Sequence, residues 1–388
     1  MQNISFENTA NAFRAKSDSE LKQSHFLFAL MNNPSLVKVG TSLATFGLNL
    51  HLPINGIIRA TIFKQFCGGE SLNQTIPVIK ALKNAQVESI LDYAVEAKES
   101  EQEFDHTTAE LLKVIAFAAQ NAIPFISVKV TGLARFALLE KIHAKQALSP
   151  DEQEEFRRIT GRLKSICDAG AASNVGILID AEETWIQDPV DGLVNNMMML
   201  YNKEKPVVYN TIQHYRHDRL AYLRKCIELA KQNNFIYAIK LVRGAYMEKE
   251  RLRAQQMNYP DPIQPTKEAS DADFDAGVAD CISNINAVAV FIASHNEKSA
   301  LKAAQLMSNL GIAAKHPHIH FSQLFGMSDH ITFNLSAAGY NVYKYLPFGP
   351  IRDVMPYLIR RAQENTSISG QMSRELRLLK IEMQRRKG

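Results

Sequence analysis

Charged and hydrogen-bonding residues recur where successive apolar runs of the sequence end, and this recurrence is the first sign of chemistry. A single polar residue in such a place usually belongs to a loop, whereas one after nearly every run favours a shared active site. In chain order these residues are Asp92, Glu96, Lys129, Thr131, Asp180, Glu182, Glu183, Asn210, Gln213, Lys240, Arg243, Ser294, His295, Asn296 and Tyr345.

Lys129 stands inside an apolar run, between Val128 and Val130. A lysine in this position can extend its ammonium group toward solvent or form an ion pair, for which Asp180 is the natural partner. It can also act as a Schiff-base nucleophile or as an electrostatic anchor for a carboxylate. The residues alone leave the nucleophile and the anchor equally open.

Two adjacent arginines, Arg360 and Arg361, fall on the helix predicted after the last apolar run. Neighbouring residues on a helix point about 100° apart, so the two guanidinium groups can face two ligands. A substrate carboxylate and a cofactor phosphate both suit the planar fork of arginine. The alternative is a surface ion pair of Arg360 with Glu364, worth ~0.5 kcal/mol.

The elements that position these residues alternate between short β-rich runs and amphipathic helices. Eight strands, each followed by a helix, predict a closed (β/α)8 barrel, in which the strand ends converge on one mouth. An open doubly wound sheet is the alternative, although it usually has fewer such strands. The strands are predicted at residues 90–95, 125–130, 176–181, 207–213, 237–242, 288–294, 318–322 and 341–346.

The predicted organisation has three parts: an N-terminal helical region at 1–86, the barrel at 87–370 and a basic C-terminal helix at 371–388. Residues 249–270 contain three prolines and follow the fifth strand, so a long loop or lid is expected there.

Composition excludes several classes of function. The net charge of +4 on 388 residues argues against a nucleic-acid-binding protein. The sequence has no run of about 18 apolar residues, which a membrane-spanning helix would need. Four dispersed cysteines and an acidic N-terminus without an apolar core predict a cytoplasmic protein. Dinucleotide-binding glycine, P-loop and serine-hydrolase motifs are missing. His316, His318 and His320 lack a nearby acidic or cysteine ligand, so no metal site is expected.

Four runs of sequence carry a family resemblance: residues 90–96, 240–246, 345–350 and 357–365. With them the chain resembles the flavin-dependent proline dehydrogenases, from about residue 66 to the C-terminus, and most closely the single-activity form. The resemblance implies a distorted (β/α)8 TIM-type barrel that carries FAD, with an N-terminal helical extension. It also implies oxidation of L-proline to Δ1-pyrroline-5-carboxylate, with hydride passing from proline Cδ to flavin N5 and electrons then to a quinone.

The resemblance also implies roles for individual residues. Lys129, Arg360 and Arg361 would clamp the substrate carboxylate, and Asp180 would be ion-paired within the site. Tyr345 would pack on the proline ring and disfavour 4-hydroxyproline. Tyr246 and Tyr357 would line the substrate site. The expected cofactor contacts are Ala181, Gln213, Lys240, Arg243, Gly244, Ala245, Ser294, His295 and Glu364.

One position departs from many bacterial members. Lys240 stands where they have an arginine near flavin N5, and a lysine lacks the planar fork of that arginine. A catalytic role for Lys240 is still expected, but its hydrogen bond to N5 is in question.

Two rival interpretations remain at this stage. A Schiff-base lyase or aldolase would use Lys129 against a carbonyl group. A membrane-surface module would act through the basic residues 371–388, and a weaker form of this idea is a peripheral membrane contact through that tail during quinone reduction.

Overall fold

The computed structural model describes residues 4–49, 54–94, 98–367 and 371–388, with side chains throughout except at 45–49, 363–367 and 371–372. Within these residues the first helices are α1 (Thr9–Ala12), α2 (Asp18–Met31), α3 (Pro34–Asn49), α4 (Asn55–Ile58), α5 (Lys64–Phe66) and α6 (Leu72–Asn84). A π-helical turn, Arg59–Phe63, joins α4 to α5.

The eight predicted strands are present and follow one another around a closed barrel in chain order. They are β1 (Glu88–Tyr93), β2 (Phe125–Val128), β3 (Gly176–Ile179), β4 (Val208–Gln213), β5 (Tyr237–Val242), β6 (Val288–Ala293), β7 (Ile319–Leu324) and β8 (Val342–Phe348). The successive pairs from β1 to β7 are parallel. The predicted (β/α)8 barrel is confirmed.

Helices follow every strand, as a parallel sheet requires for its crossovers. They are α7 (Glu101–Gln120), α8 (Phe136–His143), α9 (Pro150–Ser173), α10 (Thr184–Tyr201), α11 (Arg219–Gln232), α12 (Met247–Met257), α13 (Lys267–Ser283), α14 (Glu297–Asn309), α15 (Asp329–Ala337), α16 (Ile351–Ser367) and α17 (Gln371–Arg385). No helix in the parts of the chain just given has both the length and the apolar character needed to cross a membrane.

By contact density the chain divides into two compact units. One contains Met1–Ser89 with Gln323–Gly388, and the other contains Ile90–Ser322. In the first unit, α17 packs on α1 and α2, and α3 packs between α2 and α16. The predicted boundaries near residues 86 and 370 stay a prediction.

Aromatic rings fill the interior of the second unit. The Phe125 ring lies 5.6 Å from Tyr209 and 4.9 Å from Phe291, and the Phe291 ring lies 4.5 Å from that of His320. Gly176 makes room for this layer, because a Cβ there would come within 2.4 Å of the Phe125 ring. The layer forms a floor above which the carboxyl ends of the strands carry polar residues.

The expectation of a long loop at residues 249–270 is wrong. Helix α12 extends through Met257, because its Glu, Lys, Arg, Gln and Met residues are strong helix formers. Asn258 ends the helix in the left-handed conformation, at a φ of 54°. The prolines that suggested a loop lie in the short segment before α13 begins at Lys267.

Candidate active site

Strand alternation places the first charged cluster on the inner face of the barrel. Lys129 follows the floor residue Phe125 by four positions, and Asp180 follows Gly176 by four, so both point inward about 13 Å further along their strands. Lys240 stands beside Phe291 in the register of β5 and β6. Three residues far apart in the sequence therefore share one face of the sheet.

These residues form a network of ion pairs. Lys129 Nζ lies 3.1 Å from Asp180 Oδ2 and 3.4 Å from Asp92 Oδ1. Lys240 Nζ donates to the other oxygen of Asp180. None of the four side chains is more than 12% exposed. The charges of the two ammonium groups and the two carboxylates cancel, and their mutual attraction compensates the free-energy cost of burying them.

The contacts of Lys129 favour one of its two roles. A lysine that donates to two carboxylates is held in place as a cation, which suits an electrostatic anchor better than an amine nucleophile. The sequence pattern predicts no specific role for the strand-end residue Asp92, and the structure makes it the second carboxylate partner of Lys129. Its position on β1, in register with Ser127 on β2, explains the contact.

Glu182 is a second residue to which no role was assigned. Its carboxylate accepts hydrogen bonds from the Thr131 amide at 3.2 Å and the Thr131 hydroxyl at 2.5 Å. Its carbonyl oxygen accepts from Gln213 Nε2 at 2.7 Å. Glu182 thus joins the ends of three neighbouring strands. It lies two residues beyond Asp180, and its partner Thr131 lies two residues beyond Lys129.

A third cluster surrounds Arg243 at the end of β5. Its guanidinium donates to Asp271 at 2.5 Å, to the Ser294 hydroxyl at 2.7 Å and to the Ser299 hydroxyl at 2.9 Å. It also lies 4.3 Å from the centre of the Phe274 ring. The structure therefore brings together Arg243 and Ser294, two of the expected cofactor contacts.

The chain turns sharply beside Arg243. Gly244 has a φ of 144°, and a Cβ there would come within 2.5 Å of the Tyr215 ring. Ala245 and Tyr246 follow in half-buried positions, and Tyr246 is the N-cap residue of α12. His295, also half-buried, follows Ser294 at the end of β6.

Ala181 is half-buried in the second unit, directly after Asp180, and the other predicted residues belong to the first unit. Tyr345 is buried on β8, and its carbonyl oxygen accepts a hydrogen bond from the Phe325 amide at 2.9 Å. On α16, the buried Arg361 lies 5.3 Å from the Tyr357 ring centre, and Arg360 is half-buried. The side chain of Glu364 lies outside the described residues.

The comparison with known families decides the assignment. The family described as proline dehydrogenase matches residues 75–374. The chain belongs to the proline dehydrogenase family. Its membership confirms the predicted enzyme class, an oxidoreductase, and leaves the Schiff-base lyase without support.

Individual family members match to different extents. Hydroxyproline dehydrogenase of Xenopus laevis is 30% identical over 96% of this chain and 88% of its own length. Proline dehydrogenase 1, mitochondrial, of Dictyostelium discoideum is 31% identical over 97% of this chain and 74% of its own. The protein of the same name from Drosophila melanogaster is 41% identical, but the match covers 62% of this chain and only 37% of that protein.

Solved structures share the fold. Proline utilization A of Bdellovibrio bacteriovorus, inactivated by N-propargylglycine, superposes with a TM-score of 0.75 at 22% identity. The match covers 94% of this chain and 40% of that one. At this level of identity the likeness supports the barrel and its flanking helices.

A cavity of about 570 Å³ lies in the first unit of this proline dehydrogenase family member. Its walls are largely apolar, with Phe63, Phe325 and Phe333 among them. Charged residues also line it, among them Lys344 and Asp329, which are 2.9 Å apart. None of the predicted site residues lines it.

Proposed function

We propose that this chain oxidises L-proline to Δ1-pyrroline-5-carboxylate with FAD as cofactor and a quinone as electron acceptor. The observation that carries the proposal is the buried network of Lys129, Asp180 and Lys240 at the strand ends, in a chain of the proline dehydrogenase family. The relatives named above are called proline and hydroxyproline dehydrogenases, which indicates the substrate class.

The charge of the network suggests how a substrate carboxylate is held. Lys129 and Lys240 are balanced by Asp92 and Asp180, so the four groups are together neutral. A bound carboxylate therefore needs additional cations. We propose that Arg360 and Arg361 supply them, and that Lys129 contributes the third contact. Arginine suits this role because its planar fork binds both oxygens of a carboxylate.

The residues at the ends of β5 and β6 fit FAD. The Arg243 guanidinium and the Ser294 hydroxyl are 2.7 Å apart, next to the turn at Gly244, on which the Tyr215 ring packs. A cation and a hydroxyl donor side by side are the chemistry that a pyrophosphate binds. We propose that the dinucleotide part is held by Arg243, Gly244, Ala245, Ser294 and His295. Ala181, Gln213 and Lys240 lie near the flavin ring system in this proposal, and Glu364 is a further cofactor contact.

When bound, FAD supplies the acceptor for the hydride from proline Cδ. The chain contributes orientation, since a carboxylate fixed by three cations leaves the ring little freedom. Tyr345, Tyr246 and Tyr357 exclude water around the ring, which strengthens the electrostatic contacts. Asp180 holds Lys129 and Lys240 at fixed positions through its two oxygens.

A cytoplasmic location is part of the proposal. All four cysteines are buried thiols outside any disulfide, which suits a reducing compartment.

The decisive experiment is an absorption spectrum of the purified protein before and after anaerobic addition of L-proline. We expect flavin bands that bleach with proline. Flavin bands that persist would keep the cofactor but contradict the substrate. A protein without flavin, even after incubation with FAD, would overturn the proposal.

A further inference from the structure

One segment of the first unit has an unusual charge distribution. Residues 21–69 contain no aspartate or glutamate, although the whole chain contains 40. The same segment carries four basic residues: Lys22, Lys38, Arg59 and Lys64. Arg59 pairs with Glu70, directly after the segment, at 2.5 Å. Lys22, Lys38 and Lys64 are the other cations of the segment, and their charge attracts anionic partners.

Helix α3, in the middle of this segment, exposes an apolar stripe. Leu36, Val39 and Leu43 follow one another at helical spacing and are between 51% and 64% exposed. The helix packs against α2 and α16, so this stripe is the face that its neighbours in the first unit leave uncovered. We call these three residues the α3 stripe.

The neighbouring helices add to the exposed apolar surface. Phe26 and Leu30 lie one turn apart on α2, and Ile57 lies on α4; all three are exposed. Large apolar side chains concentrated in one segment, and not scattered over the surface, mark an interaction site.

A bilayer with anionic lipid fits this segment better than a second copy of the chain. Two copies would bring like-charged segments together, with no carboxylate from residues 21–69 to pair with Lys38. Anionic headgroups offer that pairing, and the acyl region accepts the apolar stripe. At 16 residues, α3 is about 24 Å long, so it suits a position along the interface.

The cavity of the first unit also favours a bilayer as the partner of this segment. Part of its wall comes from the acid-free segment, at Gln23, Gly56, Ala60 and Phe63. Its largely apolar lining suits a lipid-soluble molecule, which a neighbouring bilayer would deliver and a protein partner would not.

The basic C-terminal tail, which the sequence suggested for this contact, is less suitable. Arg374 and Arg377 pair with Glu7 at 2.8 and 3.2 Å. Arg385 pairs with Glu382, and Arg386 pairs with both Glu382 and Asp18. These four arginines share three carboxylates of the same unit, so most of their charge is already offset.

We propose that the α3 stripe docks this chain onto a bilayer that contains anionic lipid. The inference rests on the proposed function in one respect, because a quinone acceptor dissolves in the bilayer and the enzyme must reach it there. The geometry of the stripe itself does not depend on the identity of the substrate.

Vesicle flotation of the full chain tests the proposal, with phosphatidylcholine vesicles that contain or lack phosphatidylglycerol. We expect the wild type to float best with phosphatidylglycerol. The triple variant Leu36→Ser, Val39→Ser, Leu43→Ser should bind at least about tenfold more weakly, because three apolar insertions are lost. The matched control is Leu200→Ser, Leu229→Ser, Leu310→Ser, whose side chains are between 38% and 60% exposed on other helices. It should float like the wild type.

Two results would overturn the docking surface. One is a wild type that does not float with phosphatidylglycerol vesicles, and the other is a stripe variant that floats like the wild type. In the second case, a smaller assembly of the variant by sedimentation velocity would assign the stripe to contact between copies.

Proline-dependent flavin bleaching without vesicles separates this inference from the proposed function. We expect the wild type and the stripe variant to bleach equally, since α3 contributes none of the proposed site residues. A wild type that floats as expected but does not bleach would contradict the proposed function and leave the lipid-docking surface standing.

Discussion

Lys129 and Asp180 lie at the ends of adjacent strands, with Nζ and Oδ2 3.1 Å apart. Lys129 follows the floor residue Phe125 by four positions, and Asp180 follows Gly176, which packs under that ring, by four. Asp180 uses its second oxygen for Lys240. One carboxylate thus holds two ammonium groups in a buried site, and this makes it the residue on which the electrostatics of the site depend most.

Replacing Asp180 with asparagine should therefore destabilise the protein. The substitution removes the carboxylate that pairs with both Lys129 and Lys240. Breaking a buried ion pair in this way costs about 3 kcal/mol. Urea denaturation of the FAD-loaded protein measures the loss.

The matched control for this substitution is Asp168→Asn, which removes an exposed carboxylate 2.8 Å from Lys164. It should leave the denaturation midpoint unchanged. Equal midpoints for wild type and Asp180→Asn would contradict the account of the network.

The sequence was sufficient to predict the barrel and the pairing of Lys129 with Asp180. Both follow from local pattern, because apolar runs mark the strands and inward positions alternate with period two. The contact with Asp92 depends on the register of β1 against β2, which no local pattern reveals. The role of Glu182 depends on the positions of three strand ends at once.

Two expectations show where local pattern misleads. Prolines 260, 262 and 265 suggested a long loop from residue 249, but the helix formers before them continue α12 to Met257. The basic residues after 371 suggested a solvated face or a membrane contact, but most of their arginines pair with carboxylates that are near only in the folded unit. Charge partners distant in sequence are invisible to a reading of composition.

Arg361→Met should weaken the use of proline strongly. If Arg361 contacts the substrate carboxylate, loss of a charge-assisted hydrogen bond lowers kcat/KM by about tenfold to 150-fold. Steady-state kinetics with an artificial acceptor measures this ratio. Arg352→Met is the control, because Arg352 is exposed on the same helix. A kcat/KM for Arg361→Met close to that of the control would remove Arg361 from the site.

Tyr345→Ser should relax the discrimination against 4-hydroxyproline. A smaller residue at this buried position leaves room for the additional hydroxyl group and offers it a hydrogen-bond partner. The ratio of kcat/KM for L-proline to that for 4-hydroxy-L-proline should fall by about tenfold. An unchanged ratio with reduced activity on both substrates would mean that Tyr345 only supports packing.

Stability should fall as the pH decreases, in part because of His214. Burial lowers the pKa of His214 to about 3, and the neighbouring charges of Arg219 and Arg243 act in the same direction. The folded protein keeps this imidazole neutral, whereas the unfolded chain takes up a proton near its ordinary pKa of 6.5. The unfolded state therefore binds more protons between about pH 3 and about pH 6.5, and the free energy of unfolding decreases through this range as the pH falls.

The variant His214→Gln isolates this contribution, because glutamine is similar in length and does not titrate. Between about pH 7.5 and about pH 5.5, the wild type should lose about 1 kcal/mol more free energy of unfolding than the variant does. Urea denaturation of both proteins at both pH values gives the change in the free energy of unfolding with pH for each. The difference between these two changes is the contribution of His214. This quantity is insensitive to any fixed packing cost of the substitution, since that cost is the same at each pH. Equal pH dependence in the two proteins would show that His214 does not titrate differently in the folded and unfolded states.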